Sequence, residues 1–155
     1  MKIEDAIKQS KFKNEYEKLV VNILYTAGWI ELEISRIFKE YGITIQQYNI
    51  LRILRGQYPK PATINMLIGR MIDKMSNASR LVDKLLAKKL VVRNICKNDR
   101  RKVDVLITQK GLEILSLIDD RTEFRKILVS SLNTAEAKKL NQLLDKTRTK
   151  ENKIK

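Results

Sequence analysis

The sequence holds no histidine, one cysteine, two prolines and five glycines in 155 residues, and each shortage removes a class of function. With no histidine and with Cys96 as the single thiol, zinc sites of Cys and His, Ser-His-Asp triads and Cys-His pairs cannot be assembled from one chain. The glycines recur at neither GxGxxG nor GxxxxGKS spacing, so the usual phosphate-cradling loops are missing. A lone cysteine forms no intramolecular disulfide, and the first residues do not read as a basic segment, an apolar segment and a cleavage site; a reducing cytoplasm is the expected location. Charges interrupt every apolar run before the roughly 20 residues needed to span a bilayer, so no membrane partner is expected. No motif calls for a cofactor or a metal. The carboxylates lie scattered among lysines on helical faces, without the paired arrangement that acid–base catalysis needs, and the expectation is a protein that is not an enzyme.

What is abundant is positive charge. Thirty-two Lys and Arg against eighteen Asp and Glu give a net +14, which points to a polyanionic partner. The excess is local. Residues 1–42 carry seven basic and seven acidic side chains, net zero, whereas residues 80–102 carry nine basic and two acidic, net +7. A second basic run, residues 146–155, with five basic residues and Glu151, reads more simply as a solvated terminus.

Apolar periodicity gives the elements. Phe12, Tyr16, Leu19, Val20, Ile23, Ala27, Ile30, Ile34, Ile37 and Phe38 recur at three- and four-residue steps up to Gly42, one stripe on a helix about 45 Å long at ~1.5 Å per residue. That exceeds what so small a core needs, so part of the stripe is expected to bury against a second copy of the chain. Thr44 and Gln47 form a capping box for a helix through Gln57, with Ile45, Tyr48, Leu51, Ile53 and Leu54 on its apolar face, before Pro59 and Pro61 break the chain. Thr63 can cap a helix through Met71, with Ile64, Leu67, Ile68 and Met71 inward. Ser76 can cap the next, with Ala78, Leu81, Val82, Leu85 and Leu86 apolar. The period then changes to alternation: Val91 to Cys96 and Val103, Val105 and Ile107 flank a polar turn, a β-hairpin. Thr108 can cap a following helix, and Asn133 with Glu136 opens a last one.

Helix, turn, helix and basic hairpin together suit double-stranded DNA. The major groove admits one helix, which needs an apolar face for docking and short donors with arginine on its outer, N-terminal half. Ser76, Asn77, Ser79 and Arg80 supply these, with Lys84 one turn further and Thr63 at the start of the preceding helix. Asn and Arg can pair with adenine and guanine edges respectively, and Ser and Lys suit phosphates or base edges. A hairpin tipped with Asp99, Arg100, Arg101 and Lys102 suits the narrow minor groove, whose negative potential attracts guanidinium.

Residues 76–111, SNASRLVDKLLAKKLVVRNICKNDRRKVDVLITQKG, resemble the recognition helix, wing and following helix start of the MarR family. The Arg-Leu-Val-Asp-Lys-Leu segment from Arg80, the Asp99 and Arg101 pair of the wing, and the Val103 to Gly111 exit stand in the family's order and spacing, and similarity extends over nearly the whole chain. The resemblance implies a mainly α fold with a small β-hairpin: a winged helix-turn-helix over about 44–108, flanked by dimerisation helices at about 1–42 and 109–150, in a single 155-residue domain. It implies a homodimer reading a pseudo-palindromic operator, with Arg101 in the minor groove and Asp99 orienting it. It also implies a pocket for a small aromatic or apolar effector, for which Tyr25, Trp29 and Tyr48 are candidates, with plain core packing as their alternative. Two departures stand out. Leu90 occupies the place where the family usually has a helix-ending glycine, and the redox and metal-sensing branches use an early cysteine and histidines that this chain lacks.

Basic runs are more often solvated faces than binding sites, and Cys96 reads as an inert strand residue. The main rival to a regulator is a sequence-indifferent architectural DNA- or RNA-binding protein held by phosphate contacts alone. Lesser rivals are an enzyme using carboxylates or tyrosines in the effector-like pocket, and a family member that has lost DNA binding.

Overall fold

Side-chain caps set where the helices begin. Asn14, Thr44, Thr63, Asn77, Thr108 and Asn133 each accept a hydrogen bond from a backbone N–H of the first helical turn, satisfying donors that have no intrahelical partner. The computed structural model describes residues 1–95, 103–121, 126–127 and 132–149, in two units, Met1–Arg121 and Thr122–Lys155. The first unit contains α1 (Ile3–Ile7), α2 (Glu15–Glu40), α3 (Ile45–Gln57), β1 (Ala62–Thr63), α4 (Ile64–Arg70), α5 (Ala78–Ala87), β2 (Val91–Ile95), β3 (Val103–Ile107) and α6 (Gln109–Asp119); the second contains α7 (Thr134–Arg148). Among the described residues no helix is long and apolar enough to cross a membrane.

Both expected capping boxes form, Thr44 with Gln47 and Asn133 with Glu136, each with its two reciprocal bonds. Thr63 and Thr108 cap α4 and α6 as expected. At α5 the cap is Asn77 rather than Ser76: the Asn77 Oδ1 accepts from the Arg80 N–H at 3.0 Å, while the Ser76 hydroxyl donates to Asp73 Oδ2 at 2.6 Å. A carboxylate three residues upstream competes for the serine, and the next residue takes over the cap.

Helix α3 is the centre of the first unit. Ile50, Leu51 and Leu54 are at most 1% exposed, and Tyr48 and Ile53 are buried beside them. At about 1.5–3 kcal/mol for each fully buried large apolar side chain, this helix is the main source of burial energy. Phe38, from the end of α2, stacks on Tyr48 with ring centroids 4.3 Å apart. Arg55 of α3 pairs with Asp119 of α6 at 2.7 Å, and α4 contributes Leu67 and Met71 to the same interior while Ile68 stays exposed. Gly42 ends the α2 segment with φ 66°, a left-handed conformation that glycine adopts without steric cost.

The sheet has three antiparallel strands in the order β1-β3-β2. The expected hairpin is present, with Val91 opposite Ile107 and Ile95 opposite Val103. Strand β1 pairs Ala62 with Val105 and Thr63 with Asp104, and at two residues it is too short to leave an alternating pattern.

The stripe on α2 divides. Ile37 and Phe38 are buried, but Tyr16, Val20 and Leu24 are 80, 56 and 68% exposed. In the second unit α7 has no buried residue, and its Leu140 and Leu143 are also exposed.

The end of α5 answers the departure noted at Leu90. Lys88 is the C-cap, Lys89 takes the left-handed conformation with φ 60°, and Leu90 follows in ordinary backbone, 1% exposed. Lys89 N–H donates to Leu86 O and Leu90 N–H to Leu85 O, at 2.9 and 3.0 Å, the paired bonds of a Schellman ending. The left-handed residue is thus a lysine, one position before the leucine. Gly111 abuts the same corner: a Cβ there would lie 2.5 Å from Leu90 O and 2.7 Å from Ile107 Cγ1.

Two stability changes are expected. A left-handed L-residue costs about 1–2 kcal/mol, partly offset by the entropy of a glycine in its place, so Lys89→Gly raises the unfolding free energy by roughly 0.5–1 kcal/mol. Chemical denaturation with unchanged m-value checks this, and a loss of stability would contradict it. Gly111→Ala forces α6 away from Leu90 and lowers stability by about 1–3 kcal/mol, read from the same transition.

Candidate nucleic-acid interface

The segment from α4 through α5 is shaped by its own polar side chains. After the buried Met71, the Ile72 N–H donates to Asn49 Oδ1 at 2.9 Å, fixing the turn to α3. Lys74 Nζ folds back onto Gly69 O at 2.7 Å. Asp73 accepts from the Ser76 hydroxyl and from the Met75 N–H, and these two bonds, the hydroxyl first, hold its carboxyl below the ordinary carboxylate range. A built turn therefore precedes α5.

Helix α5 buries Ala78, Val82 and Leu85, a spacing of four and three that leaves Ser79, Arg80, Asp83 and Lys84 on the outer face. The side chains of Ser79, Arg80 and Lys84 are exposed and make no hydrogen bond or ion pair among the described residues. Their donors are available to a ligand, and they lie in the first two turns of a helix whose N-terminus carries partial positive charge.

The other expected contact residues are placed differently. Thr63 is half-buried and its hydroxyl oxygen accepts from the Met66 N–H at 3.2 Å. Ser76 is half-buried and engaged with Asp73. Asn77 is exposed, but its Oδ1 serves the cap. Two-point pairing with an adenine edge needs that oxygen as well as the amide N–H, so such pairing would compete with a cap of about 1 kcal/mol. Asp99, Arg100, Arg101 and Lys102, with Cys96, lie outside the described residues.

The basic segment is not uniformly outward. Arg93 on β2 pairs with Asp83 on α5 at 3.0 Å, tying the hairpin to the helix, and Lys88 turns toward the α2–α3 corner, donating to Gly42 O and Gln47 Oε1. Arg80 and Lys84 keep their charge toward solvent. The sequence signal for the two diverted cations existed in part: Asp83 stands on the outer face, ten residues before Arg93. The acceptors of Lys88 are more than forty residues distant in sequence and left no local mark.

The three aromatic candidates for an effector pocket are not brought to one wall within a chain. Tyr48 is 9% exposed, packed on Phe38, and its hydroxyl oxygen accepts from Arg52 at 3.0 Å. Trp29 and Tyr25 are 45 and 40% exposed on α2, about 13 and 20 Å along the helix from Phe38 at ~1.5 Å per residue. An open cleft of about 460 Å³ between α2 and the start of α3 is lined by Glu31, Ser35, Lys39, Thr44 and Gln46, among others, and by none of the three aromatics. Among the described residues no cluster of three or more Cys, Asp or Glu is arranged to hold a metal ion.

Comparison with known proteins agrees with this arrangement. Residues 43–103 match the model of the MarR family. The HTH-type transcriptional regulator MgrA of Staphylococcus aureus is 26% identical over 112 residues, covering 72% of this chain and 74% of its own. A mutant MarR of E. coli complexed with operator DNA superposes with a TM-score of 0.77 at 23% identity, over 90% of this chain and all of that one. BpsR of Bordetella bronchiseptica, whose regulation of DNA binding by 6-hydroxynicotinic acid has been described structurally, gives 0.75 at 21% identity, over 91% of this chain and all of its own. Over residues 43–103 the chain is thus similar to the MarR family of winged-helix transcriptional regulators, a family of DNA-binding proteins that are not enzymes, and it shares the fold of that family's solved structures.

Proposed function

We propose that the protein acts in the cytoplasm as a homodimeric, ligand-responsive repressor that reads a pseudo-palindromic operator, with half-sites about one helical turn apart. The observation that carries this reading is the outer face of α5, where Ser79, Arg80 and Lys84 are exposed and uncommitted, in a chain whose sequence between β2 and β3 includes Asp99-Arg100-Arg101-Lys102. In this reading Arg80 contacts a base edge in the major groove, Ser79 and Lys84 hold phosphates, and Arg101 enters the flanking minor groove with Asp99 orienting it. Arg100 and Lys102 add phosphate contacts. Thr63 and Asn77 shape the approach by capping the two helices with their side-chain oxygens, and Ser76 does so through its bond to Asp73 in the turn before α5.

Dimerisation is supported by apolar faces that a single chain leaves open. Tyr16, Val20 and Leu24 recur every four residues on α2, and Leu140 and Leu143 stand on α7; a second copy of the chain would cover them, as the family fold implies. We place the effector near Tyr25, Trp29 and Tyr48, and the small-molecule regulation of BpsR supports an aromatic acid or similar apolar compound. Release requires that the effector bind unequally to dimers with different spacing between their reading helices.

Fluorescence anisotropy on DNA enriched from a random pool, against scrambled DNA across a salt series, tests the operator reading. Preference for the enriched DNA by roughly a thousandfold or more is expected of a specific regulator, with Arg80→Ala and Arg101→Ala each losing about 1–3 kcal/mol of binding energy there. Equal binding to both DNAs would identify a sequence-indifferent binder instead. For the dimer, sedimentation velocity is expected to give twice the chain mass for the wild type and a shift to the single-chain mass for Leu24→Glu with Leu143→Glu; a wild type sedimenting as one chain would overturn it.

A further inference from the structure

The reading helix ends in a knot of contacts whose centre is a lysine. Lys88, the C-cap of α5, sends its Nζ to Gly42 O at 2.5 Å and to Gln47 Oε1 at 3.0 Å. Gly42 is the left-handed residue that turns α2 into α3, and Gln47 is the capping-box partner of Thr44 in α3, 1% exposed, whose Oε1 also accepts the Thr44 N–H at 3.2 Å. One ammonium group thus joins the C-cap of α5 to the α2–α3 corner and to the first turn of α3. On the other side, Lys110 Nζ of α6 reaches Lys88 O at 3.3 Å, and the Thr108 hydroxyl donates to Lys89 O at 2.9 Å.

We propose that Lys88 is a positioning residue that transmits the setting of the α2–α3 corner to the reading helix, and so fixes the angle and spacing at which α5 meets DNA; this rests on the operator reading above. Three features favour that role over a phosphate contact. Its ammonium, on an exposed residue, is engaged by two protein oxygens. One of these acceptors is a nearly fully buried carboxamide, whose Oε1 keeps only its bond from the Thr44 N–H if the start of α3 and the end of α5 move apart. The acceptors belong to the residues through which the long helix α2 connects to the reading domain, so displacement of α2 acts directly on the end of α5. A positive charge that composition assigns to DNA binding is here used in a contact within the protein.

The test combines distance measurement without DNA and binding with it. Lys88→Met keeps the apolar stem and removes the donor; Gln47→Glu keeps both acceptor roles and makes the bond to Lys88 charge-assisted on both sides. Spin labels at Arg36→Cys on α2 and Ser79→Cys on α5, in a Cys96→Ser background and with labelled chain diluted in unlabelled chain, report the α2–α5 distance. Lys88→Met is expected to broaden that distribution and Gln47→Glu to narrow it; a distribution unchanged in both overturns the proposal. On the enriched operator, Lys88→Met is expected to lose roughly tenfold in affinity. Its salt dependence should keep the wild-type slope, and its preference among operators with half-sites moved by one base pair should flatten. A slope reduced by about 0.9 with spacing preference intact marks Lys88 as a phosphate contact and overturns the proposal. If the random pool yields no operator, the operator reading fails and the distance distributions alone decide for or against the joint. If Lys88→Met does not fold, Gln47→Glu decides, a narrower distribution supporting the joint and an unchanged or wider one overturning it.

Discussion

Everything in the first unit hangs on the burial of α3. A thirteen-residue helix with Ile50, Leu51 and Leu54 almost wholly removed from water must be covered on several sides, and α2, α4, α5, α6 and the sheet are what cover it. Because interiors are packed at crystal-like density, each covering element is fixed in position by the same few side chains. Helix α5 is therefore held by Ala78, Val82 and Leu85 on one face, which leaves the opposite face open. Function at the surface is a by-product of which face the core claims.

Polar side chains then refine what the core sets roughly. Asp73, Ser76 and Asn77 use short local bonds to hold the turn before α5 and start the helix. At the other end the Lys89 conformation, the Leu90 plug and the Lys88 bonds close it. A helix of ten residues is marginal by itself in water, so this double fixing is what holds α5 as a rigid element. The Arg93–Asp83 pair extends the same constraint to the base of the hairpin, although as an exposed pair it contributes little energy.

The two apolar surfaces left open in one chain belong to the same physical account. Tyr16, Val20 and Leu24 have the spacing of a buried stripe without the burial, and α7 is amphipathic without a buried residue. Monomeric proteins rarely leave such stripes in water. In the proposed dimer a second copy would cover them, and such surfaces need not be those that build the first unit.

The elements were legible in the sequence because local signals set them. Thr44 with Gln47, Thr63, Thr108 and Asn133 with Glu136 marked helix starts, since a cap acts within three residues of itself, and alternation around Val103 and Val105 marked the hairpin. The outer position of Arg80 and Lys84 followed from the spacing of Ala78, Val82 and Leu85. Tertiary structure decided the rest. Ser76 yields the cap to Asn77 because Asp73 takes its hydroxyl, Lys89 rather than Leu90 bears the left-handed turn because Leu90 is needed in the core, and two residues at Ala62 become a strand only because β3 lies beside them. Lys88 looked like one more surface cation, and it is tied instead to Gly42 and Gln47. Contacts between residues more than forty positions apart leave no periodic trace, so only the folded chain determines which charges remain for a partner.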